Sequence, residues 1–197
     1  MDGNLAYKQD GHSDGLWEEL IDGKVVMMVP ARVNHHRVSG NLYNIFSRYL
    51  HGRPCEPFPD GVGLYLSAKE HYIPDMMVVC DPDKVQDKGI VGAPDLVIEV
   101  LSPSTAKNDR GHKKDVYERH GVREYWIVDP AALNVEQYVL ENGKFTLWDV
   151  YHKYSASWLA EMDEEERAAV VTEFRCSLFD DLLISLEDVF RRVVVGG

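Results

Sequence analysis

Asp75, Asp95, Glu99 and Lys113 are the residues whose types and spacing could do chemistry. Glu99 lies inside the apolar run DLVIEVLS, and an unpaired carboxylate buried in such a strand costs several kcal/mol. It therefore needs a partner, and a cation is the simplest one. Strand alternation puts Asp95, Val97, Glu99 and Leu101 on one face and Leu96, Ile98 and Val100 on the other. Asp75 follows Ile73-Pro74 at the entrance of the run YIPDMMVVCD, where the proline holds the chain extended. If these two runs pair, Asp75 and Glu99 converge at one edge of a sheet. Two carboxylates with a backbone carbonyl and waters suit a hard, octahedral ion such as magnesium or manganese.

Such an ion activates water and stabilises the charge that develops on a phosphodiester under attack. Lys113 would assist both tasks. It lies one helical turn before Tyr117, with His120 roughly in line, while Arg110 and Lys114 point elsewhere and are candidates for contacts to phosphates. Asp75 and Asp95 also fit local turn acceptors, and Lys113 also fits a solvated helix face. Glu99 has no such local alternative. His35, near the start of a helix, fits either a cleft position or a surface or capping role. The eight histidines contain no H-x-x-x-H pair, so zinc is not expected. Ser102 and Ser104 lack a G-x-S-x-G elbow, and no Gly-rich phosphate loop is present.

The elements that must position these residues follow from turn and period signals. WEELIDGKVVMMVP reads as a hairpin turning at Asp22-Gly23, and NVEQYVLENGKFTLWDV as a second one turning at Asn142-Gly143. Val38, Leu42, Ile45, Phe46, Tyr49 and Leu50 recur at helical spacing, with Asn34 as the expected N-cap and Gly52 as the stop. GVGLYLS and YIPDMMVVCD read as neighbouring strands, and DPDKVQDKGIVGAP as the connection to DLVIEVLS. A helix over about 108–120 ends at Gly121, and REYWIVD is a further buried strand. The run from Glu161 to Ala169 fits a surface helix or an acidic loop, and a short helix is expected around Leu186 to Val193. The order gives an α/β (α+β) arrangement: a central mixed β-sheet flanked by helices, with additional antiparallel hairpins.

The 197 residues suffice for one substantial core, read as a domain over 16–197 behind an N-terminal tail over 1–15. No apolar run approaches the roughly 20 residues that span a bilayer. The N-terminus lacks a cationic start and an apolar core, so export is not expected and the cytoplasm is. Cys55, Cys80 and Cys176 are widely spaced and odd in number, so they are read as reduced and mostly buried. The net charge of -12 argues against a broad surface for nucleic acid. Its distribution is uneven: residues 103–123 hold six Lys or Arg against three acids, whereas residues 161–188 hold ten acids against two arginines. The cationic patch thus lies beside the candidate site.

Several segments in this order resemble the Uma-two family of restriction endonucleases, a branch of the PD-(D/E)XK nuclease superfamily. They are ELIDGKVVMMVP, HHRVSGNL, IPDMMVVC, APDLVIEVLSPST, DRGHK with Tyr117, and GVREYWIVD. The resemblance implies a restriction-endonuclease-like core, a magnesium-type ion and DNA as substrate. It aligns Asp75 with the first acid of the superfamily motif and Glu99 with the second, as metal ligands. Leu101 stands where the motif has lysine, and the resemblance implies that Lys113 replaces it. Glu19 and Asp95 match further acidic positions, and His35 a recurring one; Arg110, Lys114, His35 and Tyr117 are assigned to the substrate side. The expected function is a metal-dependent DNA endonuclease, a two-fold homodimer if both strands are cut. A non-catalytic nuclease-fold scaffold and a hydrolase of smaller phosphate esters are the alternatives.

Overall fold

The computed structural model describes residues 18–28 and 30–194; the expected tail over 1–15 lies outside the described residues. Strands β1 (Glu18–Ile21) and β2 (Lys24–Met27) form the first hairpin. Its turn residues Asp22 and Gly23 both have positive φ, the geometry that fits the twist of the flanking strands. Helix α1 (Val33–Leu50) buries Val38, Leu42, Phe46 and Leu50, spaced four apart on one face. It starts two residues earlier than expected, with Arg32 and not Asn34 at the cap. Asn34 serves elsewhere, donating to the Val194 carbonyl at 2.7 Å and accepting its N–H at 3.2 Å.

Strands β3 (Glu56–Pro59), β4 (Leu64–Ser67), β5 (Glu70–Tyr72), β6 (Met76–Val79), β7 (Val85–Gln86), β8 (Gly89–Val91) and β9 (Leu96–Val100) follow. A helical segment then runs through α2 (Ala106–Asn108), a π-turn (Asp109–Lys113) and α3 (Lys114–His120), ending on Gly121 in the left-handed region. After it come β10 (Glu124–Asp129) and the hairpin β11 (Asn134–Glu141) and β12 (Lys144–His152). The acidic run forms α4 (Ala156–Glu161) and α5 (Glu164–Ala168), and β13 (Glu173–Arg175), β14 (Leu183–Ser185) and α6 (Leu186–Val189) complete the described chain.

The central sheet has the order β12-β11-β10-β9-β6-β3. Strands β9 and β10 are parallel, joined by the helical crossover, and the other neighbours are antiparallel. It is a mixed α+β fold, as the sequence implies. One face packs Leu96, Ile98, Val100, Met76 and Trp126 against α1 and the C-terminal elements. The opposite face sets Val97, Met77 and Ile127 against Tyr117 of α3 and against Leu64, Tyr72 and Ile90, so this side is covered by a second sheet and not by helices alone. That sheet has the order β2-β1-β5-β4-β8-β7.

Three readings are corrected here. GVGLYLS and YIPDMMVVCD are not neighbours: β4 pairs with β5 and β8, while β6 pairs with β3 and β9, because the short EHY run supplies the intervening strand. The connection over 81–94 contains its own strand pair, β7 and β8. Cys55 and Cys80 are not free thiols but a disulfide; the β3–β6 register pairs Glu56 with Val79 and so brings the flanking cysteines together. Cys176 is free and buried, as expected.

Candidate active site

The β6–β9 pairing, with Met76 opposite Ile98, brings the N-terminal end of β6 beside Glu99. Asp75 extends from there, its Oδ2 accepting the Val100 N–H at 2.6 Å. Its Oδ1 lies 3.2 Å from His35 Nε2 on the first turn of α1. Glu99 is 3 % exposed, and its Oε1 accepts from Lys113 Nζ at 3.1 Å and from the Tyr117 hydroxyl at 2.7 Å. Glu19 from β1 completes the ring: its Oε1 lies 2.9 Å from Lys113 Nζ and accepts the Ile73 N–H at 3.1 Å. Lys113 thus crosses from the helix to the strand carboxylates.

The π-turn makes that crossing possible. An i→i+5 turn widens the helix by one residue and re-aims the side chains that follow. The Asp109 carbonyl in this turn accepts the Tyr125 hydroxyl at 2.9 Å, so the widened backbone is paid no unsatisfied acceptor there. Asp109 itself is 1 % exposed, its Oδ1 has no hydrogen-bond partner and lies 3.8 Å from Lys113 Nζ. Sequence reasoning missed this residue. The available signal was its position four residues before Lys113 on a helix.

Electrostatics follow from three buried carboxylates around one buried ammonium. Burial pushes the Glu99 carboxyl well above its ordinary range, against the pull of Lys113. Burial likewise lifts Asp109, to about 6. Burial alone would lower the Lys113 ammonium, but Glu99, Glu19 and Asp109 overcome it and hold it charged. One ammonium cannot neutralise three carboxylates, so the cluster favours an extra proton or an extra cation. His35 shows the same balance, burial lowering it and the Asp75 hydrogen bond raising it further, and its Nδ1 is buried without a partner. Burial together with Asp75 raises Asp60, a second cleft acid that had no sequence signal in its loop.

A cleft of about 910 Å³ opens over these groups, with Asp60, Asp75, Glu99, Asp109, Lys113 and His35 on its walls. Five carboxylates, of Glu19, Asp60, Asp75, Glu99 and Asp109, line it beside apolar residues such as Ile21 and Met27, and those of Asp75 and Glu99 with the neighbouring Val100 backbone fit a hard divalent ion.

The remaining expected site residues stand elsewhere. Asp95 shares its strand face with Glu99 but lies at the opposite end of β9. There its Oδ2 accepts the Cys80 N–H at 2.8 Å and its Oδ1 pairs with Arg123 at 3.2 Å. Arg110 pairs with Glu136 at 2.7 Å, and the Lys114 ammonium stands 4.3 Å over the Tyr138 ring. Neither reaches the cleft. Tyr117 is fully buried, and its hydroxyl donates to Glu99 Oε1.

This sheet and cleft define a nuclease-like fold. The structure is similar, with a TM-score of 0.67 and 18% sequence identity over 90% of this chain and 91% of the other, to a crystal structure from Anabaena variabilis described as "a putative nuclease belonging to DUF820". The chain belongs to the Uma2 family, described as "Putative restriction endonuclease", whose model matches residues 10–168. Among curated relatives, it is 31% identical over 122 residues to "Uncharacterized protein slr1290" of Synechocystis sp. PCC 6803. It is 32% identical over 124 residues to "Uncharacterized protein sll1609" of the same organism. These matches span 61% of this chain and 64% and 70% of the two relatives' lengths. Among the described residues no helix is long and apolar enough to cross a membrane.

Proposed function

We propose that the cleft is the centre of a magnesium- or manganese-dependent nuclease that hydrolyses DNA phosphodiester bonds. The observation that carries this reading is the convergence of Glu19, Glu99 and Asp109 on Lys113 beside Asp75, at the floor of an open cleft. Such a cluster is costly as a stabilising device and suits a site that waits for a cation. Asp75 and Glu99 would hold the ion, which when bound supplies a polarised water and charge stabilisation for the phosphate. Lys113, held charged, donates hydrogen bonds and so positions the attacking water; it does not accept the proton. Tyr117 and Glu19 fix the Glu99 carboxylate and the Lys113 ammonium in place.

The substrate side is assigned to the cleft rim. Arg32 and His36 line it at the start of α1, a helix with no acid in its first turn and no side-chain cap. Free N–H groups and these two side chains suit a phosphate. His35 couples that end of the helix to Asp75. Cutting a duplex on both strands would favour a two-fold pair of such clefts.

The test is cleavage of plasmid and single-stranded DNA with magnesium or manganese. The wild type is expected to cut and Glu99→Ala to lose at least two orders of magnitude. Equal activity in both would remove the mechanism, and a wild type that binds DNA without cutting would favour the scaffold reading.

A further inference from the structure

Outside the cleft lining, a second group of metal-ligating side chains is assembled from three separate elements. Asp22 comes from the β1–β2 turn, Glu70 from β5 and His112 from the π-turn, and one ligand atom of each lies within 4.8 Å of the others. None of the three lines the cleft. His112 Nε2 is itself buried and has no hydrogen-bond partner. It stands 3.7 Å from Glu70 Oε2, and His112 Nδ1 stands 3.8 Å from Asp22 Oδ2. Both separations are too long for hydrogen bonds. The Nε2–Glu70 separation approaches the roughly 3.3–3.6 Å that separates two ligands sharing one ion at bonds of about 2.0–2.2 Å, and Asp22, which stands nearest the other ring nitrogen, would swing its exposed carboxylate to reach the same ion. Glu70 is buried and also accepts from the Tyr72 hydroxyl, which fixes the carboxylate as second-layer hydrogen bonds do in metal sites. Arg119 reaches Glu70 only at 3.9 Å and is mostly exposed.

We propose that Asp22, Glu70 and His112 bind a first-row divalent ion of the zinc class, separate from the ion of the cleft. One imidazole nitrogen and two carboxylates are a donor set that such ions prefer over magnesium or calcium. Asp22 is exposed, so the site has an entry path and room for water as a further ligand. The ion would act as a clamp. Asp22 lies three residues after Glu19, Glu70 three before Ile73, whose N–H holds Glu19, and His112 is next to Lys113. Tying these positions together fixes the three elements that orient the Lys113 ammonium. The site could not be read from spacing, because its ligands are 48 and 42 residues apart in the chain.

The test uses the full chain, stripped with chelator and carrying Glu99→Gln so that the proposed cleft ion is disabled. Calorimetric titration with Zn²⁺ is expected to show one ion per chain, with thermal stabilisation, and Co²⁺ should give the absorption bands of an N/O-ligated site. His112→Ala should abolish binding, and Asp22→Asn, an exposed change that keeps the turn, should weaken it at least tenfold. Should His112→Ala fail to fold, the Asp22→Asn titration decides. No binding in the Glu99→Gln chain, or unchanged affinity in Asp22→Asn, would overturn the clamp. That failure would leave the nuclease reading standing, since its own test is cleavage that depends on Glu99.

Discussion

At the scale of single residues, the site is a matter of who compensates whom. Lys113 is charged because three carboxylates surround it, and Glu99 and Asp109 are raised by burial, which the one Lys113 ammonium does not offset. This has a consequence for stability. Asp109 moves from the ordinary 3.8 to about 6 on folding, through burial first. Between those values the folded state binds more protons than the unfolded state, so stability falls as pH rises, and the loss is complete above about pH 6. Two units correspond to about 3 kcal/mol. Urea unfolding in chelator across about pH 4 to 7 should therefore show a declining slope in the wild type that Asp109→Asn flattens. An unchanged slope in the variant would contradict the assignment. Glu99 was legible in the sequence because a charge inside an apolar run demands a partner; Asp75 followed from its place at the entrance of an apolar run expected to pair with that of Glu99, and Lys113 from the family resemblance with Leu101 standing at the usual lysine position. Asp60 was not, since an acid in a Gly- and Pro-rich loop has many ordinary uses. Asp95 was legible as an acid on the right face, but strand alternation fixes the face and not the end of the strand at which a ligand collects.

At the scale of elements, the π-turn is the device that aims Lys113. Removing one residue from it should restore an ordinary i→i+4 helix and rotate one flank by about 100° relative to the other. Deletion of Gly111 should thus keep the helical circular dichroism while lowering cleavage at least a hundredfold. Gly111→Ala is the control: a Cβ there meets nothing within 4 Å, and activity should be unaffected. A deletion that cuts as well as the wild type would show that the turn positions nothing. The elements themselves were largely readable. Asp22-Gly23 and Asn142-Gly143 announced their hairpins, and the four-residue spacing of Val38, Leu42, Phe46 and Leu50 announced α1. What escaped were β3, β5, β7, β8, β13 and β14, two to four residues each, too short for an alternation to declare itself. The π-turn escaped as well, because residues 109–113 have ordinary helical composition and the widening comes from tertiary contacts such as Tyr125.

At the scale of the whole molecule, two sheets meet over Glu99, and long-range pairing decides features that composition suggested otherwise. The cysteines illustrate this, since Cys55 and Cys80 are 25 residues apart and meet only through the β3–β6 register. Thiol titration in denaturant should find one free thiol, Cys176, before reduction and three after it. Reduction should cost about 3.5 kcal/mol by opening a loop of this length; three thiols without reductant would contradict the pairing. The charge of -12 extends into the cleft, where Glu19, Asp60, Asp75, Glu99 and Asp109 outnumber Lys113 and the rim residue Arg32. The central claim is that the cleft carboxylates wait for a divalent cation. It is tested most directly by anomalous diffraction from crystals soaked in manganese. A peak within about 2.0–2.4 Å of one oxygen each from Asp75 and Glu99 is predicted; a fully soaked crystal with no peak between them would contradict the account.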